Sequence, residues 1–311
     1  MTLSVIDPIS RSFDQTIKIL FKPFSAKKWL FLGFCMWLAR LGQGGGGFNV
    51  PGGGHGGSGH SLGSAATEAK AWVVAHLILV LFLIGLVSLF VIGIMLLLTW
   101  LSSRGRFMFL DGVVHNRGAV RAPWSEFKTQ GNSLFLFLFL FGIATFLIIM
   151  GVFVFCGVAA WPDIVAERFG PGVIVAIIAI LGVLVPFGLL CTLIGALVND
   201  FVVPVMYLRR VRVLDAWRSV WEEIITPHPG ATILFYLMRI VLLFVTGAIA
   251  LCVTLLTCCC IAFVPFIGTV ILLPLYVFMR CYSLYFIEQI GPEMKVFPNP
   301  RELDDLMPDP L

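Results

Sequence analysis

Residues 199–223, NDFVVPVMYLRRVRVLDAWRSVWEE, decide how this chain is read. An apolar run reaches Asp200, and a basic segment with Arg209, Arg210, Arg212, Trp217 and Trp221 follows. Leu208, Val211, Leu214, Trp217, Trp221 and Ile224 recur every three or four positions, with Arg209, Arg212, Asp215, Ser219 and Glu222 opposite them. That spacing predicts a helix lying in a membrane interface, its tryptophans at headgroup depth and its bases near anionic lipid. The stretch therefore reads as a junction between two membrane spans.

Outward from this junction the composition agrees. Only 12% of the 311 residues are charged, against roughly a quarter in a soluble domain, too few to cover a water-facing surface. Apolar runs longer than the ~18 residues that mark a span predict a multi-pass helical protein. Six spans are expected: Trp29–Leu41, Trp72–Leu101, Leu134–Ala160, Val173–Val198, Thr232–Leu256 and Ile261–Phe286. The first is short, and a re-entrant half-helix is its alternative. Asp7-Pro8 opens another amphipathic helix, with Ile9, Phe13, Ile17, Leu20 and Phe24 on one face and Arg11, Asp14, Gln15, Lys18 and Lys22 on the other. A third interfacial segment runs from Asp111 to about Gly131 and includes a short helix at Pro123–Lys128.

The fold class expected is an all-α, polytopic bundle: six transmembrane helices as three hairpins, each preceded by a cytoplasmic interfacial helix. Residues 1–290 form one transmembrane domain, with repeat-like units at about 5–103, 104–198 and 199–290, and 291–311 form a flexible tail. The glycine-rich stretch 42–64 reads as a disordered outer loop. Of the 21 lysines and arginines, all but Arg40, Lys70, Arg168 and Arg239 fall on one side of this arrangement. The positive-inside rule puts that side, with both termini, in the cytoplasm of a cell whose inner membrane holds the protein.

Two intramembrane arginines are the candidates for chemistry. Arg239 and Arg280 each lie about eight residues, or ~12 Å of helix, inside the cytoplasmic ends of adjacent spans. Asp200 and Glu288 are the acids within reach. Charge at such depth marks either an ion pair or snorkelling side chains, or else a site for an anion such as a lipid phosphate. Cys258, Cys259 and Cys260 read as an apolar turn, with oxidation or acylation as the alternative. No cofactor or metal spacing is present, nucleic acid binding has no basic patch away from the membrane edges, and the common hydrolase and nucleotide-binding templates are missing.

The segments IDPISRSF with KPFSAKKWLFLGF, NDFVVPVM, and VFMRCYSLYFIEQIGPEMKVFP resemble a family of uncharacterised six-span prokaryotic membrane proteins. The architecture is also distantly similar to the membrane domain that accompanies some glycerophosphodiester phosphodiesterases, whose catalytic domain this chain lacks. The resemblance implies the fold and no activity. The expected function is a non-enzymatic membrane protein that engages membrane lipids, or a cytoplasmic or membrane protein partner, through Lys18, Lys22, Arg209, Arg210, Arg212, Trp217 and Trp221. The alternative is a small-solute or lipid transporter with an anion site near Arg239 and Arg280.

Overall fold

Every regular element in the computed structural model is a helix; it describes residues 3–22, 24–41, 76–116, 121–166, 168, 170–256 and 265–297. In chain order these are α1 (Asp7–Phe21), α2 (Ala26–Arg40), α3 (Leu77–Val114), α4 (Arg121–Glu126), α5 (Lys128–Val165), α6 (Pro171–Arg209) and α7 (Val213–Ser219, continuing through a π turn at Val220–Ile225). α8 (Pro229–Leu256), α9 (Pro265–Ile271) and α10 (Leu273–Glu288) complete the order. Four of them, α3, α5, α6 and α8, are long and apolar enough to cross a membrane. The glycine-rich stretch 42–64, Cys258, Cys259 and Cys260, and the tail beyond 297 lie outside the described residues.

Two of the long helices, α3 and α6, have unlike halves. α3 and α5 have 38 residues each, about 57 Å at 1.5 Å per residue, well beyond the ~30 Å of a hydrocarbon core. From Ile78 to Leu97, α3 turns almost every large apolar side chain outward; from Ser102 to Val113 it is buried. α6 repeats the change at Val198, while α8 is outward over most of its length and buries only Thr232 and Phe235. Among the described residues nothing covers the outward halves, and they form an apolar belt suited to lipid. The inward halves join α1, α2, α7 and α10 in a packed bundle.

α10 is the bundle's centre because it carries apolar residues on all sides, as a fully enclosed helix must. Phe235 of α8 stacks on Tyr282 at 5.1 Å and meets Phe286 at 4.5 Å. α1 crosses α10, held by Ser4 and Gln289 through paired amide bonds of 2.8 and 2.9 Å. α2 runs antiparallel to the buried half of α3: Ser102 Oγ donates to the Ala39 carbonyl at 2.7 Å and Lys28 Nζ to Asn116 Oδ1 at 3.0 Å. Gly105 permits that approach, since a Cβ there would lie 2.6 Å from the Ala39 nitrogen.

These placements alter several expectations. Trp29–Leu41 packs along the buried half of α3 rather than beside its outward half. Residues 265–286 are broken at Leu272: no residue from Leu273 to Phe286 is exposed, whereas Ile267 and Ile271 before the break are. Asp111 and Asp200 sit inside α3 and α6 rather than opening interfacial helices. α3 does not stop at Leu101, because no proline or left-handed residue interrupts it before Asn116 (φ 50°). α6 likewise runs on to Arg209 and ends at Arg210 (φ 57°). Residues 291–297 are no free tail: Met294, Val296 and Phe297 are buried, and Phe297 packs on Tyr285 at 4.8 Å.

Candidate functional site

The site begins with a proline. Pro204 has no N–H for the Asp200 carbonyl, and α6 widens into a π turn at Val198–Val202 just before it. Within that turn the Val203 N–H bonds to the Val198 carbonyl, so the Asn199 carbonyl is also released from the helix ladder. Buried carbonyls must be bonded elsewhere. α10 supplies both partners: Arg280 Nη1 donates to the Asn199 carbonyl, and Ser283 Oγ donates to the Asp200 carbonyl at 2.7 Å. The local sequence of α6 thus fixes where Arg280 stands.

Around this joint lies a cavity of about 420 Å³ where the belt meets the bundle. α6 contributes Asn199 and Asp200, α8 contributes Arg239, and α10 contributes Arg280. α3 adds Arg106, and α2 ends at the rim with Arg40, whose guanidinium bonds to the Tyr276 hydroxyl and lies 4.8 Å from its ring centre. The Asp200 carboxylate pairs with the Arg239 guanidinium. Arg106 and Arg280 are each 6% exposed, Asp200 is 3% exposed, and the Nε atoms of both arginines are buried without a hydrogen-bond partner.

The electrostatics follow from counting. Four guanidinium groups line the cavity, Arg106 and Arg280 buried and Arg40 and Arg239 partly exposed, and Asp200 is the only acid in its wall among the described residues. An uncompensated buried charge costs several kcal/mol, so this arrangement calls for added negative charge. Guanidinium groups present forked donors that match phosphate and carboxylate oxygens.

Of the four residues singled out in the sequence, the structure brings together Arg239, Arg280 and Asp200. Glu288 stands apart, two turns further along α10 near Lys295 and Arg11, where burial pushes its carboxyl above the ordinary range. Arg106 is the member that sequence reading missed. It was assigned to a junction because α3 was expected to end at Leu101; the uninterrupted helical run to Val114 was the signal for its depth.

The interfacial residues divide. Lys18, Lys22 and Arg212 are exposed, and Trp221 is 60% exposed. Arg209 is held by a two-pronged pair with Glu223 at 2.6 and 2.7 Å, and Arg210 pairs with Glu126 at 2.5 Å while lying 4.0 Å from the Phe127 ring centre. Those two arginines brace the bundle. Trp217 is half-buried, 6.2 Å from the ring of Phe137. α7 buries Val213, Ala216, Val220 and Ile224, leaving Leu214 and Trp221 outward from the face expected to be apolar. α1 has three faces: Ser12, Thr16, Ile19 and Leu20 pack inward, Ile6 and Phe13 point outward, and Arg11, Lys18 and Lys22 lie beyond them.

The chain belongs to the Family of unknown function (DUF7544), whose profile matches residues 3–273. No curated protein and no solved structure gives a significant match.

Proposed function

We propose that the protein is a non-enzymatic, multi-pass cell-membrane protein that binds an anionic group in the cavity formed by Arg106, Arg239 and Arg280. The observation that carries this reading is the excess of enclosed guanidinium charge over the single carboxylate of Asp200. The packed bundle is its cytoplasmic end, in keeping with the distribution of lysine and arginine.

A second contact with anionic lipid is supported by α1. Its outward Ile6 and Phe13 beside Arg11, Lys18 and Lys22 suit the boundary between acyl chains and headgroups.

Thermal unfolding of the detergent-purified protein tests the cavity. Inorganic phosphate, added against chloride at equal ionic strength, is expected to raise the midpoint, by the equivalent of about 2.7 kcal/mol at a hundred times the dissociation constant. Arg106→Gln is expected to retain the fold and lose most of that response. An equal rise in both proteins would remove the cavity from consideration.

A further inference from the structure

The arginine cavity has a charged end and an apolar side. Leu243, Gly247 and Ala250 line it from α8 and, spaced four and three residues apart, share one helix face. Leu243 is 61% exposed. Gly247 is exposed too, and a Cβ added there would meet nothing within 4 Å. Among the described residues, then, the cavity opens sideways through the apolar belt. Phe201, Phe235 and Tyr282 pack on one another within the bundle, successive ring centres 5.1 Å apart.

This geometry discriminates between sources of an anion. A free ion in water reaches the buried Arg106 and Arg280 only by shedding its hydration, and along the α8 side it meets apolar surface, a costly route. The head of a membrane lipid already lies near the depth where the belt meets the bundle, and its chain can lie against α8. Two enclosed guanidinium groups, Arg106 and Arg280, have unbonded Nε atoms at the head position.

We infer that the cavity holds one membrane amphiphile, with its head phosphate against Arg106 and Arg280 and an acyl chain along the face carrying Leu243, Gly247 and Ala250. The inference rests on the anion-binding reading above and names the ligand class. Native mass spectrometry of the full-length protein, released from vesicles of phosphatidylcholine and phosphatidylglycerol, tests it. The wild type is expected to retain one phospholipid, and the Arg106→Gln, Arg280→Gln double variant to lose it. Gly247→Trp fills the apolar side and leaves every charge in place; it is expected to lose the phospholipid yet keep its stabilisation by inorganic phosphate, which also shows that it folds. Retention of the phospholipid by Gly247→Trp overturns the inference. So does a wild type that is stabilised by phosphate but carries no phospholipid, a result that leaves the anion site standing with a water-borne ligand. Failure of both phosphate and phospholipid removes both readings.

Discussion

At the scale of single residues, Asp200 is the balance point of the cavity. It pairs with Arg239, one of the four arginines lining the cavity, and, through its carbonyl, ties α6 to α10. Asp200→Asn keeps the shape and the carbonyl but removes the charge. Losing one partner of a buried pair costs about 3 kcal/mol or more, so the variant is expected to unfold earlier than wild type in phosphate-free detergent. The same change leaves more positive charge facing an anion, so the rise in midpoint on adding phosphate is expected to be larger than in wild type. Opposite signs in the two measurements distinguish this account from a purely structural role, which predicts the first effect alone. Arg239, Arg280 and Asp200 were legible in the sequence because charged residues deep in apolar runs stand out. Arg106 was not, since it reads as an ordinary base after a span until α3 is seen to continue past it. Glu288 illustrates the opposite error: proximity along α10 did not bring it to the same cavity.

At the scale of elements, periodicity located the amphipathic helices better than it oriented them. α1 is expected to turn its apolar stripe to the membrane; Phe13 is exposed but Leu20 of the same stripe is buried, and Ser12 and Thr16 pack inward, their hydroxyls satisfied by the carbonyls of Pro8 and Ser12 at 2.5 and 2.7 Å. Small hydroxylated side chains let α1 approach α10 closely, and the larger Ile6 and Phe13 are left outward. An apolar face does not say whether it meets protein or lipid; only the neighbouring helix decides that. Nitroxide labels placed singly at Phe13 and at Lys18 in bilayer-reconstituted protein separate the possibilities. The label at Phe13 is expected to favour collision with oxygen, and that at Lys18 to favour a water-soluble nickel complex. Equal, water-like accessibility at both positions would detach α1 from the lipid. At the end of α6, Arg209 and Arg210, expected as lipid contacts, pair with the partly exposed Glu223 and Glu126.

At the scale of the whole molecule, composition and long apolar runs made a membrane helix bundle legible from the sequence. The division of α3 and α6 into an outward half and a packed half was not, because apolar residues look alike whether they face lipid or protein. Burial separates them: Phe90 and Phe107 lie on the same helix, 67% and 0% exposed. The proposed orientation predicts that a single cysteine at Arg168, between α5 and α6, reacts with a membrane-impermeant maleimide in intact cells. A cysteine at Asn116 is expected to react only after permeabilisation. The reverse pattern would turn the molecule over and place the bundle outside.

The cavity itself offers the most direct test of what the protein does. A cryo-electron microscopy map of the bilayer-reconstituted protein is expected to show tetrahedral density within hydrogen-bonding reach of Arg106 and Arg280, with Asp200 still paired to Arg239. A cavity holding water alone, with the Arg106 side chain turned out to the interface, would contradict an anion site.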